Sequence, residues 1–180
     1  MPATYEPIAS QTLGTAAASV SFSSISGTFT DLLLVCMVRG TTTGTFNFNT
    51  YVRIQVNGDT GTNYSATQLY SRSTAGSWSA LSLRSTNETA YSLGPAPDSQ
   101  HAADIFGPQR VHFMSYANTN VNKTVLAESG YSSNLTNHDG PRRDVGLWRN
   151  TAAITSMSIS LTTGNLAVGC TFSLFGLKAA

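Results

Sequence analysis

The stretch from Gly146 to Leu177 constrains the fold more than any other part of the chain. It reads GLWRNTAAITSMSISLTTGNLAVGCTFSLFGL, and within it Met157, Ile159 and Leu161 alternate with Ser158 and Ser160. That period of two belongs to a strand with one buried face. Residues 162–165 read as a turn, because Gly164 and Asn165 tolerate positive φ. Cys170, Phe172 and Leu174 then alternate with Thr171 and Ser173, predicting a second strand that ends near Gly176. Both strands need hydrogen-bonding partners from earlier in the chain, which calls for a sheet.

Those partners are visible. Val20 and Phe22, spaced by serines, mark a first strand. Residues 32–38, LLLVCMV, are apolar at every position. A strand buried on one face would alternate, so this one is expected to be central and covered on both sides. Val52, Ile54 and Val56 alternate with polar residues up to Asn57-Gly58, the pair that favours a type I′ hairpin turn. Residues 63–71 hold the one candidate helical turn. Further strands are expected at residues 78–83, 111–116, 124–127 and 145–148, with loops at 40–50 and 134–143. Residues 86–109 carry three prolines, two glycines and no period, so a long projecting loop is expected there, of the kind that usually has a function. Pro2 and Pro7 make residues 1–15 an extended arm, at a sheet edge, on a neighbouring subunit or free. The expected fold is all-β: an antiparallel β-sandwich or jelly roll of nine or ten strands, forming a single domain over residues 16–180.

Composition narrows the partners. Only 11% of the 180 residues are charged, against about 25% in an average soluble domain. A surface of Ser, Thr, Asn and Gly suits broad contacts with other chains, since few charges must be desolvated. A net charge of +1 argues against nucleic acid, and no apolar run approaches the ~20 residues of a membrane span. The opening MPATYEPIAS has neither a basic nor an apolar leader region, so a chain made in the cytoplasm is expected. Cys36 and Cys170 then read as buried thiols more readily than as a disulfide.

A search for chemistry finds little. His101, His112 and His138 show no metal-ligand spacing, and neither a GxSxG nor a phosphate-binding GxxxxGK[ST] motif occurs. Nine carboxylates stand singly along the chain, which does not suggest the paired acids of a glycosidase. Residues 57–63 space oxygen ligands as a calcium loop does but lack its closing acid, so a plain turn is preferred. His138, Asp139 and Asp144 around Arg142 and Arg143 form a cluster for an anion, for internal ion pairs or for a partner. Trp148-Arg149 reads either as an interface anchor or as core. No enzymatic activity, cofactor or metal is expected.

Five blocks carry a resemblance: TYEPIAS at residues 4–10, SFSSISGTFTDLLLV at 21–35, RIQVNGDTGTNYS at 53–65, GLWRNTAAITSMSI at 146–159 and GCTFSLFGLK at 169–178. In that order they resemble a family of small virion proteins of tailed bacteriophages, including phages of cyanobacteria. The blocks leave residues 86–143 unmatched. The resemblance implies a virion structural protein, most simply a head decoration (cement) protein: a homotrimer bound to the major capsid protein on the outer surface of the head. A tail-associated or receptor-binding protein, with Tyr91 and Trp78 holding glycans, is the alternative. The residues expected to face a partner, read from the arm, the Arg142–Arg143 cluster and the Trp148-Arg149 pair, are Tyr5, Pro7, Arg142, Arg143, Trp148 and Arg149.

Overall fold

A computed structural model describes residues 4–43, 50–133, 135 and 138–178, with backbone only at residues 138 and 139. The described residues contain twelve strands and no helix. In chain order these are β1 (Tyr5–Thr12), β2 (Ser19–Phe22), β3 (Asp31–Val38), β4 (Tyr51–Val56), β5 (Tyr64–Thr74) and β6 (Ser77–Glu88). They continue with β7 (Tyr91–Pro95), β8 (Gly107–Met114), β9 (Lys123–Ser129), β10 (His138–Trp148), β11 (Met157–Leu161) and β12 (Thr171–Leu177). Eight form one sheet in the order β1-β12-β3-β8-β9-β10-β5-β6, and four form a second in the order β2-β11-β4-β7. Every pairing is antiparallel.

One core lies between the sheets. The large sheet contributes Leu34, Val111, Phe113, Trp148, Phe172 and Leu174, and the small one Phe22, Ile54, Tyr91, Leu93 and Ile159. Each such side chain contributes about 1.5–3 kcal/mol by leaving water. The two C-terminal strands, well separated by their turn, belong to different sheets: β11 pairs with β2 and β4, β12 with β1 and β3. Asn57 and Gly58 take φ of 53° and 65°, as a type I′ turn requires. The turn nevertheless closes no hairpin, because β4 lies in the small sheet and β5 in the large one. Local backbone chemistry set the turn; burial of both flanking strands set where it leads.

Several expectations are corrected. Of residues 63–71, all from Tyr64 on are extended within β5, where Tyr64, Ala66 and Gln68 turn inward and Thr67 and Leu69 outward; sheet packing overrides the helical preference of Ala, Gln and Leu. Residues 86–109 are not one projecting loop. They include the end of β6, all of β7 and the start of β8, and Leu93, Ala96 and Asp98 are buried. Two prolines hid β7, which tolerates Pro95 because it is an edge strand at its last residue. Residues 138–143 extend β10 rather than forming a polar loop. β1 occupies the edge of the large sheet, with a register shift between Pro7 and Ala9 where the proline has no N–H to give. The loop expected at 40–50 falls mainly on residues 44–49, outside the described residues.

The largest correction concerns β3. It is central, between β12 and β8, but Val35 and Met37 are 38% and 40% exposed. The small sheet covers one side of the strand; on the other, Leu33 is buried beside Phe175 and His112 while Val35 and Met37 are open to solvent.

Candidate interaction surface

The six residues expected at an interface separate by face. Trp148 is inside: its ring stacks on Tyr64 at 6.4 Å and its Nε1 donates to Asp59 Oδ2 at 2.6 Å. Asp59 also accepts from Gly61 N at 2.8 Å and Asn63 Nδ2 at 2.9 Å. Burial alone would raise its carboxyl, but the bonds from Asn63, Trp148 and Gly61 hold it below the ordinary value. Those oxygens, which suggested a calcium loop, are engaged within the turn.

Arg142 is also buried. Its Nε donates to both oxygens of the fully buried Asp144, at 2.8 and 3.0 Å, and its Nη2 to Ser92 O at 3.1 Å. The guanidinium lies 5.2 Å from the centre of the Tyr51 ring and 5.8 Å from that of Tyr70. Burial pushes Asp144 up to about 6 in spite of Arg142. Neither Trp148 nor Arg142 is available to a partner; both sit on the inward phase of β10. Arg149, just past β10, donates to Thr62 O and lies 3.4 Å from Asn87 Oδ1, a tie between turns.

Tyr5, Pro7 and Arg143 share the other side of the large sheet. Register places Val35, Arg110, Glu128, Arg143 and Leu69 in one row across β3, β8, β9, β10 and β5. The adjacent row holds Pro7, Phe175, Leu33, His112, Leu126 and Val145, from β1 to β10. Of twelve large hydrophobic residues exposed among the described residues, eight are on this face: Tyr5, Val35, Met37, Leu69, Trp78, Met114, Leu126 and Val145. A one-sided sheet normally turns polar residues to water. Charge on the face is concentrated in a ladder, with Glu128 accepting from Arg143 and from Arg110 at 3.4 Å. The Arg143 bond and charge hold the Glu128 carboxyl below its ordinary value. His112 Nε2 meets Asp31 Oδ2 at 2.9 Å.

An open cleft of about 600 Å³ adjoins the ladder, lined by Val35, Trp78, Pro108, Tyr131 and Pro141 among others. Tyr91, paired with Trp78 in the glycan reading, is wholly buried and packs edge-on against Tyr64 and Phe113. Tyr5, Pro7 and Arg143 were expected at an interface from the sequence; Leu69, Leu126, Glu128 and Val145, which share their face, were not. The signal that was present is the unbroken apolar run of β3.

Other reactive groups are tied into the fold. Arg39 donates to the carbonyls of His101 at 2.8 Å, Ala102 at 2.6 Å and Ile105 at 3.0 Å, while His101 Nδ1 stands 3.2 Å from Asp98 Oδ1. Cys36 and Cys170 are buried free thiols, both pushed up by burial. The side chains of His138 and Asp139 lie outside the described residues. Among the described residues no group of three His, Cys, Asp or Glu side chains is placed to hold a metal ion, and no helix is long and apolar enough to cross a membrane.

No protein-family model matches the chain, and neither does any curated protein or solved structure.

Proposed function

We propose that this chain is a structural protein of a phage virion, a β-sandwich subunit that decorates the outside of the head and holds shell subunits together. The observation that carries the proposal is the uncovered apolar face of the large sheet, where eight large hydrophobic residues meet solvent. An exposed apolar face of that extent marks a contact with another chain. The blocks resembling phage virion proteins give that contact its setting, with the major capsid protein as partner. A subunit bound to several shell proteins at once gains strength through effective concentration, and a closed homotrimer at a local three-fold would repeat each contact symmetrically.

The test is the number of copies per particle, measured by quantitative mass spectrometry on purified virions. A decoration protein is expected in proportion to the shell subunits. A count matching a single tail, or absence from the particle, would overturn the head assignment. One feature supports the tail reading: Trp78 is 53% exposed beside the cleft, as a ring that stacks on a sugar would be. Binding of host envelope glycans by the wild type, lost in Trp78→Ala, is the result that reading requires.

A further inference from the structure

We infer that the outer face of the eight-stranded sheet docks a different protein chain whose surface is apolar and carries carboxylates, and that it does not dock a second copy of this chain. The inference rests on the structural-subunit reading and adds the chemistry of the partner.

β3 is mismatched to its surroundings. Its residues 32–38 are all apolar, as in strands covered on both faces, yet the small sheet covers only one side, and on the other Val35 and Met37 are open to solvent although Leu33 is buried. The missing cover is a protein surface.

The face is also large enough for a stable contact. With strands about 4.8 Å apart and residues rising about 3.3 Å, eight strands of about eight residues present roughly 850 Å². A standard interface takes about 800 Å² from each partner. The cleft between Trp78, Val35 and Pro108 supplies the depth that a protruding apolar side chain needs.

Charge decides which chain fits. Two guanidinium groups, Arg110 and Arg143, share the single carboxylate of Glu128. Arg84 stands in the neighbouring row, opposite Thr67 and exposed, and none of the described ion pairs includes it. The other carboxylate on the face among the described residues, Asp31, is engaged by His112 and by Ser115 N. Among the described side chains the face therefore carries more cations than anions. A two-fold contact would lay this surplus on itself, which is unfavourable in a desolvated interface. Carboxylates from a different chain would instead complete the ladder.

The test uses the full chain and four variants: Val145→Glu, Leu126→Glu and Arg143→Glu on the face, and Val168→Glu in an exposed loop as control. All four positions are at least partly in solvent, and thermal melts check that each variant folds. Anilinonaphthalene sulfonate, an anionic apolar dye, mimics the proposed partner chemistry. Its fluorescence should rise with the wild type and fall several-fold with each face variant, but not with Val168→Glu. Unchanged fluorescence in the face variants would overturn the inference. Sedimentation velocity of the chain alone tests the second-copy alternative: an oligomer broken by Val145→Glu would assign the face to self-association. On shells stripped of this protein, Arg143→Glu should weaken rebinding roughly tenfold, and added salt should weaken wild-type rebinding. Wild-type protein that ignores shells but keeps the dye response would remove the head assignment and leave the docking chemistry standing. Shell binding untouched by all three face variants would do the reverse.

Discussion

Lys123 shows how a single side chain can hold two loops together. It is fully buried, and its Nζ donates to the carbonyls of Asn118 at 2.6 Å, Val121 at 2.7 Å and Thr151 at 2.8 Å. Burial lowers its pKa, but three carbonyls supply what water would have given. Lys123→Met should cost about 2–4 kcal/mol, since it leaves those carbonyls without a donor; urea denaturation measures the loss. Asp144 gives a pH signature. Its folded pKa of about 6 exceeds the ordinary 3.8, so it favours the folded state fully below the ordinary value. That contribution is lost as pH rises through about 6, and it is on the order of 3 kcal/mol. Melting temperature should therefore fall across this window. Asp144→Asn, though less stable overall because Arg142 loses its carboxylate, should flatten the slope. Asp59 runs the other way, its contribution present above its ordinary value and lost as pH falls through the depressed one.

At the scale of elements, β10 serves both faces of the large sheet. Its inward residues Asp144 and Trp148 build the interior, while Arg143 and Val145 lie on the exposed outer face. Gly146 sits between them because a Cβ there would meet the Tyr91 ring at 2.8 Å. Gly146→Ala should displace that ring and cost about 1–3 kcal/mol, with a lowered melting temperature as the readout. β6 is the opposite case. It is the free edge of the sheet, and its residues are exposed or half-exposed throughout. Its amides should exchange with solvent far faster than those of β3 and β8, which have hydrogen-bonded neighbours on both sides. Equal protection in native-state exchange would show that the β6 edge is covered in solution.

For the whole molecule, the N-terminal strand is part of the fold as well as of the surface. β1 pairs with β12 from Tyr5 to Thr12, and Lys178 closes the edge through an ion pair with Glu6 at 2.8 Å. Deleting residues 1–12 would expose the backbone edge of β12. The expected result is a lower melting temperature and concentration-dependent association, because a bare edge recruits other strands. A truncated chain with unchanged stability would mean that β1 contributes only surface.

Alternation at residues 157–161 and 170–174, the run at 32–38 and the Asn57-Gly58 turn were enough to establish an all-β, antiparallel chain. These are properties of a few neighbouring residues, and period and φ preference act at that range. Sheet membership was not legible, since pairing β11 with β2 and β12 with β3 depends on contacts across more than a hundred residues. For the same reason the phase of β10 was hidden: Arg142 and Arg143 are adjacent and chemically alike, yet one lies against Asp144 and the other faces water. Residue chemistry determined that the chain would be strands. Only the packing of one sheet on the other decided which side of each strand was left facing solvent.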